Sequence, residues 1–114
     1  MKSYTDLEQS KKLAEILPLE SADMCYLKRE FNDTFIETPI VKPIGGVEKS
    51  LCCWSLAALL GVLPPIEGFC PIIDLDINLI RYEGNYRDEL CFNGNNLVDV
   101  CYELILKLNE LKML

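Results

Sequence analysis

The chain has 114 residues, a net charge of −7, six cysteines and no histidine, and half of its residues are hydrophobic. That composition excludes disorder and collagen-like repeats, and the missing imidazole excludes Ser-His-Asp triads, Cys-His dyads, HExxH zinc proteases and two-Cys two-His fingers. The acidic balance argues against direct nucleic acid binding, which needs clustered Lys and Arg.

The start, Met1-Lys2-Ser3-Tyr4-Thr5-Asp6, has no apolar core of the kind a signal peptide needs. A cytoplasmic protein is therefore expected, with its cysteines as free thiols. A first helix is predicted from Asp6 to Leu17, with Thr5 as its cap and Glu8 completing a capping box. Leu7, Ala14 and Leu17 form its apolar stripe, and Pro18 stops it. Ala22 to Leu27 reads as a short strand. Phe31 to Ile44 has strand-like residues, but Pro39 and Pro43 cannot donate to a ladder, so it reads as an edge strand or extended loop closed by a Gly45-Gly46 turn.

Ser50 is expected to cap a second helix over Leu51–Leu60, with Gly61 at its end. This run is apolar all round, which predicts a helix buried on most sides. At about 15 Å it is too short to span a hydrocarbon core of roughly 30 Å, so no membrane association is expected. The pair Gly84-Asn85 suits a type II′ turn and predicts a hairpin of strands 72–83 and 86–92. Its register would pair Glu83 with Tyr86, Arg81 with Asp88, Leu79 with Leu90, and Ile77 with Phe92, putting the last four on one face. The final helix is predicted over Leu97–Met113, with Asn96 as cap and Asp99 in its first turn. Its main stripe is Leu97, Val100, Cys101, Leu104, Leu108 and Leu111, and Glu103 and Lys107 form an i,i+4 pair.

Four constellations bear on function. Asp74-Leu75-Asp76-Ile77-Asn78 opens like a calcium loop, but Leu79 and Asn85 stand where an EF-hand needs Gly and Glu. A metal site built from Asp74 and Asp76 on one strand face stays open beside a plain solvated strand. Lys49-Ser50 resembles the end of a P-loop, but Pro43 and Glu48 replace its glycines. Cys52 and Cys53 would lie in the first turn of the second helix, either as core residues or as a reactive thiol without an imidazole base. The last helix carries a second apolar line, Val98, Tyr102, Leu106 and Met113, which is either covered by another element or is a partner or homodimer surface.

Three segments carry a resemblance: Ser10 to Met24 (SKKLAEILPLESADM), Cys53 to Leu60 (CWSLAALL) and Val98 to Leu108 (VDVCYELILKL). They resemble a family of small uncharacterised proteins of gut Bacteroidales genomes, often encoded on prophages and other mobile elements. The resemblance implies a cytoplasmic accessory protein of bacterial or phage origin, and brings no activity, cofactor or catalytic residue with it.

Residues 1–114 thus read as one α+β domain, three helices packed on a small, mostly antiparallel sheet. The expected function is that of a non-enzymatic interaction protein. The alternatives are an acidic inhibitor that mimics phosphates toward a nucleic-acid-binding protein, and a metal-dependent hydrolase using Asp74 and Asp76.

Overall fold

The computed structural model describes residues 2–44, 49–84 and 88–114. Among the described residues three α-helices and two three-stranded antiparallel sheets make up an α+β fold, as expected, but with the strands divided between two sheets.

Helix α1 spans Leu7–Ala14. Its cap is Asp6 and not Thr5: the Asp6 carboxylate accepts from the Gln9 backbone N–H at 2.8 Å, and the Gln9 side chain accepts from the Asp6 N–H at 3.1 Å. The box is therefore Asp6/Gln9 rather than Thr5/Glu8. Thr5 is instead fully buried. Its hydroxyl accepts from the Trp54 N–H at 3.1 Å, and its carbonyl accepts from the Tyr26 hydroxyl at 2.8 Å. A hydroxyl enclosed this way serves the core and is lost to the helix end.

The first sheet has strand β1 (Met24–Leu27) at its centre, flanked by β2 (Ile40–Val41) and β3 (Ser50–Cys53). Pro39 and Pro43 bracket β2, which is an edge strand of two residues, in keeping with their missing donors. The Gly45-Gly46 turn lies outside the described residues. Residues 50–53 are the main departure from expectation. They pair with β1 as a strand, Met24 opposite Cys53 and Leu27 opposite Ser50. Helix α2 then spans only Leu56–Val62, and Ser55 caps it by accepting from the Ala58 N–H at 3.2 Å. Gly61 lies inside α2 rather than at its end. A run apolar but for Ser55 has no period of its own, and the available partner strand decided the conformation of its first part.

The second sheet runs β4 (Ile72–Asp74), β5 (Leu79–Arg81), β6 (Cys91–Asn93), with β5 central. The predicted single strand 72–83 folds back on itself: Ile72 faces Arg81 and Asp74 faces Leu79. Between β5 and β6 the pairs are Leu79–Asn93, Ile80–Phe92 and Arg81–Cys91. The expected Leu79–Leu90, Ile77–Phe92 and Arg81–Asp88 pairs are therefore corrected; the Glu83–Tyr86 pair and Asn85 of the turn fall outside the described residues. An odd register shift turns one strand over. Leu90 and Phe92 do face inward, but they meet Ile80 and Tyr82, and Ile77 is left exposed. Arg81 lies 3.7 Å from Glu83 instead.

Helix α3 spans Leu97–Glu110, capped by Asn96, which accepts from the Asp99 N–H at 2.9 Å. It packs against α2, β5 and β6. The core joins Leu13, Trp54, Leu59, Ile80, Tyr82 and Leu90 to Val98, Cys101, Leu104, Ile105 and Leu108. Lys107 pairs with Glu110 at 3.6 Å rather than with Glu103. Beyond α3 the Met113 N–H donates to the Leu108 carbonyl at 2.8 Å and the Lys112 N–H to Asn109 at 3.0 Å, with Lys112 at φ 57°. This is a Schellman closure with lysine where glycine is usual.

Candidate interaction surface

The outer edge of β4 and the turn that follows it form an exposed apolar surface. Asp74 accepts the Asp76 N–H at 3.1 Å, a local turn bond that uses the carboxylate to reverse the chain. Asn78 adopts φ 48°, a conformation asparagine tolerates, and its side chain donates to the Asn95 carbonyl at 3.2 Å. The Gly94 N–H donates to the Asn78 carbonyl at 3.3 Å. These bonds hold the turn against the loop before α3. They leave Leu75 73% and Ile77 54% exposed, beside the half-exposed Ile72 and Ile73 of β4.

Behind Leu75 a groove of about 600 Å³ is lined by Lys2, Leu56, Leu75, Asn78, Asn95, Asn96 and Leu97. Leu56 and Leu97 are the first residues of α2 and α3, so two helix starts converge on it. The Lys2 ammonium reaches Asp99 at 2.7 Å and Asp6 at 3.1 Å, and the Gln9 amide donates to Asp99 at 2.8 Å. Burial alone would lower the Lys2 pKa, but the two carboxylates outweigh it and raise it. Burial likewise works against the Asp99 carboxylate, yet hydrogen bonds from Lys2, Gln9 and Asn96 hold its pKa below the usual range. The groove is thus lined by three leucines, three asparagines and a lysine shared between two carboxylates.

The other sequence candidates are placed apart. Asp74 ends β4 and Asp76 lies in the turn after it, so the two do not share one strand face, and among the described residues no group of three His, Cys, Asp or Glu side chains is positioned to hold a metal. Lys49 has φ 58° and Ser50 opens a strand, so neither begins a helix as a P-loop requires. Cys52 and Cys53 lie in β3 and not in the first turn of a helix. Cys53 is fully buried, and burial pushes its thiol pKa up. Of the second line on α3, Val98 is fully buried, while Tyr102 and Met113 are half-buried against the core and Leu106 is half-buried. Met113 sits where the Schellman closure places it, facing Leu108.

Leu75 and Ile77 escaped the sequence reading because Ile73, Leu75, Ile77 and Leu79 alternate as a strand does. The Asp-x-Asp-x-Asn spacing through them is a turn signal as well as a calcium-loop one. Among the described residues no helix is long and apolar enough to cross a membrane. Comparison with protein-family models, curated proteins and solved structures finds no match for this chain.

Proposed function

We propose that this chain is a non-enzymatic interaction module that takes up an extended apolar segment of a partner protein along β4 and the Leu75–Ile77 turn. One observation carries the reading. Local hydrogen bonds of the turn hold Leu75 outward at 73% exposure, next to an edge strand with nothing paired on its far side among the described residues. An edge strand offers unpaired backbone groups, and flanking apolar side chains supply pockets for alternate residues of an added strand. The resemblance to the Bacteroidales family fits a cytoplasmic accessory role of mobile-element origin in this reading.

The test is selection of a displayed peptide library on the purified chain. Enriched peptides should alternate apolar residues and lose binding to a Leu75→Glu/Ile77→Glu variant, but not to Leu19→Glu, an exposed leucine elsewhere. Light scattering on the same proteins separates the homodimer form of the idea, since a dimer abolished by the double substitution makes the occupant a second copy. A monomer that enriches no such peptide refutes the module.

The two alternatives have less behind them. Phosphate mimicry draws on the net charge of −7. Its carboxylates, however, are spread over caps and ion pairs, Asp6 and Asp99 with Lys2, Asp33 with Lys28 and Glu110 with Lys107. A hydrolase on Asp74 and Asp76 would have to break the turn bond that Asp74 makes.

A further inference from the structure

The register of the first sheet sets Cys25 of β1 directly opposite Cys52 of β3. The direction of the neighbouring backbone bonds shows which kind of pair this is. The Asp23 carbonyl accepts from the Lys42 N–H at 2.9 Å and the Leu27 carbonyl from the Ile36 N–H at 2.8 Å, so the odd-numbered residues of β1 aim their backbone groups away from β3. Across the gap, the Trp54 carbonyl accepts from the Thr5 N–H at 2.9 Å, so the even-numbered residues from Cys52 onward aim away from β1. Cys25 and Cys52 therefore share no backbone bond. They form a non-hydrogen-bonded pair, the closer of the two antiparallel kinds, with Cα atoms about 4.5 Å apart and both side chains on one face.

A disulfide tolerates Cα separations of about 4.4–6.8 Å, which places this pair at the short end of the window. The neighbouring Cys53 is no competitor. It lies on the opposite face, where its thiol donates to the Thr5 carbonyl at 3.3 Å. Cys25 is buried and Cys52 is half-buried, so one thiol is open to a small oxidant and the other waits beside it. Both are free thiols in this structure.

We infer that Cys25 and Cys52 form a reversible dithiol–disulfide couple that staples β1 to β3 under peroxide. Hydrogen peroxide oxidises the Cys52 thiol to a sulfenic acid and is itself reduced to water. The Cys25 sulfur then attacks the Cys52 sulfur, the S–O bond breaks, and the hydroxyl leaves with the Cys25 proton as a second water. Two molecules of a small thiol of the glutathione class return the pair to dithiol through a mixed disulfide, becoming a disulfide themselves.

The experiment uses the full chain carrying Cys70→Ser and Cys91→Ser, which removes the two exposed thiols. It is treated with hydrogen peroxide, remaining thiols are blocked, and unreduced peptides are mapped by mass spectrometry, with fragmentation between Cys52 and Cys53 assigning the sulfur. The expected product is a Cys25–Cys52 linked peptide, lighter than its parts by two hydrogens. It should vanish with dithiothreitol and be absent when Cys52→Ser is added. In urea the same treatment should scatter the links among Cys25, Cys52, Cys53 and Cys101, a comparison that needs no folded variant. Linkage of Cys25 to Cys53, equal scatter in folded and unfolded chain, or oxidation of Cys52 to sulfinic acid without a link would overturn the inference.

Discussion

Thr5 shows how much one side chain can organise. Its hydroxyl lies 2.8 Å from that of Ser10 and accepts the Trp54 N–H, while its carbonyl collects the Tyr26 hydroxyl and the Cys53 thiol. Thr5→Val keeps the shape and deletes the acceptor, leaving a buried N–H unpaired. It should cost about 1–3 kcal/mol, read as a lowered urea midpoint with an unchanged slope. Burial acts in the same core on groups that ionise at high pH. It raises the Cys101 thiol from 9.0 to about 12. The Tyr82 hydroxyl, which donates to the Pro64 carbonyl at 2.7 Å, is likewise raised by burial, from 10.0 to about 12. A folded pKa above the unfolded one gives stability that is full below the unfolded value and lost as pH rises toward the folded one. Stability should hold up to about pH 9 and fall between pH 9 and 12, by about 1.4 kcal/mol per unit for each group in its window. Urea midpoints taken across that range check it, and a flat profile to pH 11 would contradict it.

Among the elements, α2 depends on a single short cap. Ser55 accepts the Ala58 N–H, and its own N–H and hydroxyl both donate to Asp23 at the start of β1. Ser55→Ala should cost about 0.5–2 kcal/mol in the same urea measurement, through the lost cap. The legibility of the elements follows from what fixes each one. Helix α3 was readable because Asn96 caps a stripe that keeps a 3.6-residue period over four turns. Helix α2 was misplaced because Ser50 and Ser55 are equal capping candidates ahead of one apolar run, and only the ladder with β1 separates strand from helix. The second sheet was recognised as strands, but its register was not. The turn at Asp74–Asn78 is spelled by side-chain bonds that the alternation of Ile73, Leu75, Ile77 and Leu79 conceals. The candidate surface was lost with that register, since Ile77, assigned to the core face with Leu90 and Phe92, is left outside while those two stay inside. The partner line proposed on α3 was legible as apolar, but periodicity alone could not say that Val98 meets the core or that Met113 closes the helix.

At the scale of the whole molecule the chain measures 50 × 26 × 22 Å, with a radius of gyration of 14.9 Å, above the roughly 13 Å usual for a compact domain of this length. An elongated body has more surface for its volume, which is why so much of the hydrophobic half of the sequence, Phe31, Val41, Leu75 and Ile77 among it, remains outside. The peptide selection on Leu75→Glu/Ile77→Glu belongs to this scale, because it asks what that surplus surface is for. The segment from Lys2 to Asp6 has a different consequence. Lys2 and Gln9 reach Asp99 across 97 and 90 positions of chain, and Thr5 reaches Trp54 across 49. Contacts so distant along the chain must wait for the loops between them to close, and loop closure carries its entropy cost before any bond repays it. The residues from Lys2 to Asp6 are then among the last to find their places, and α3 remains unclasped at Asp99 until they do.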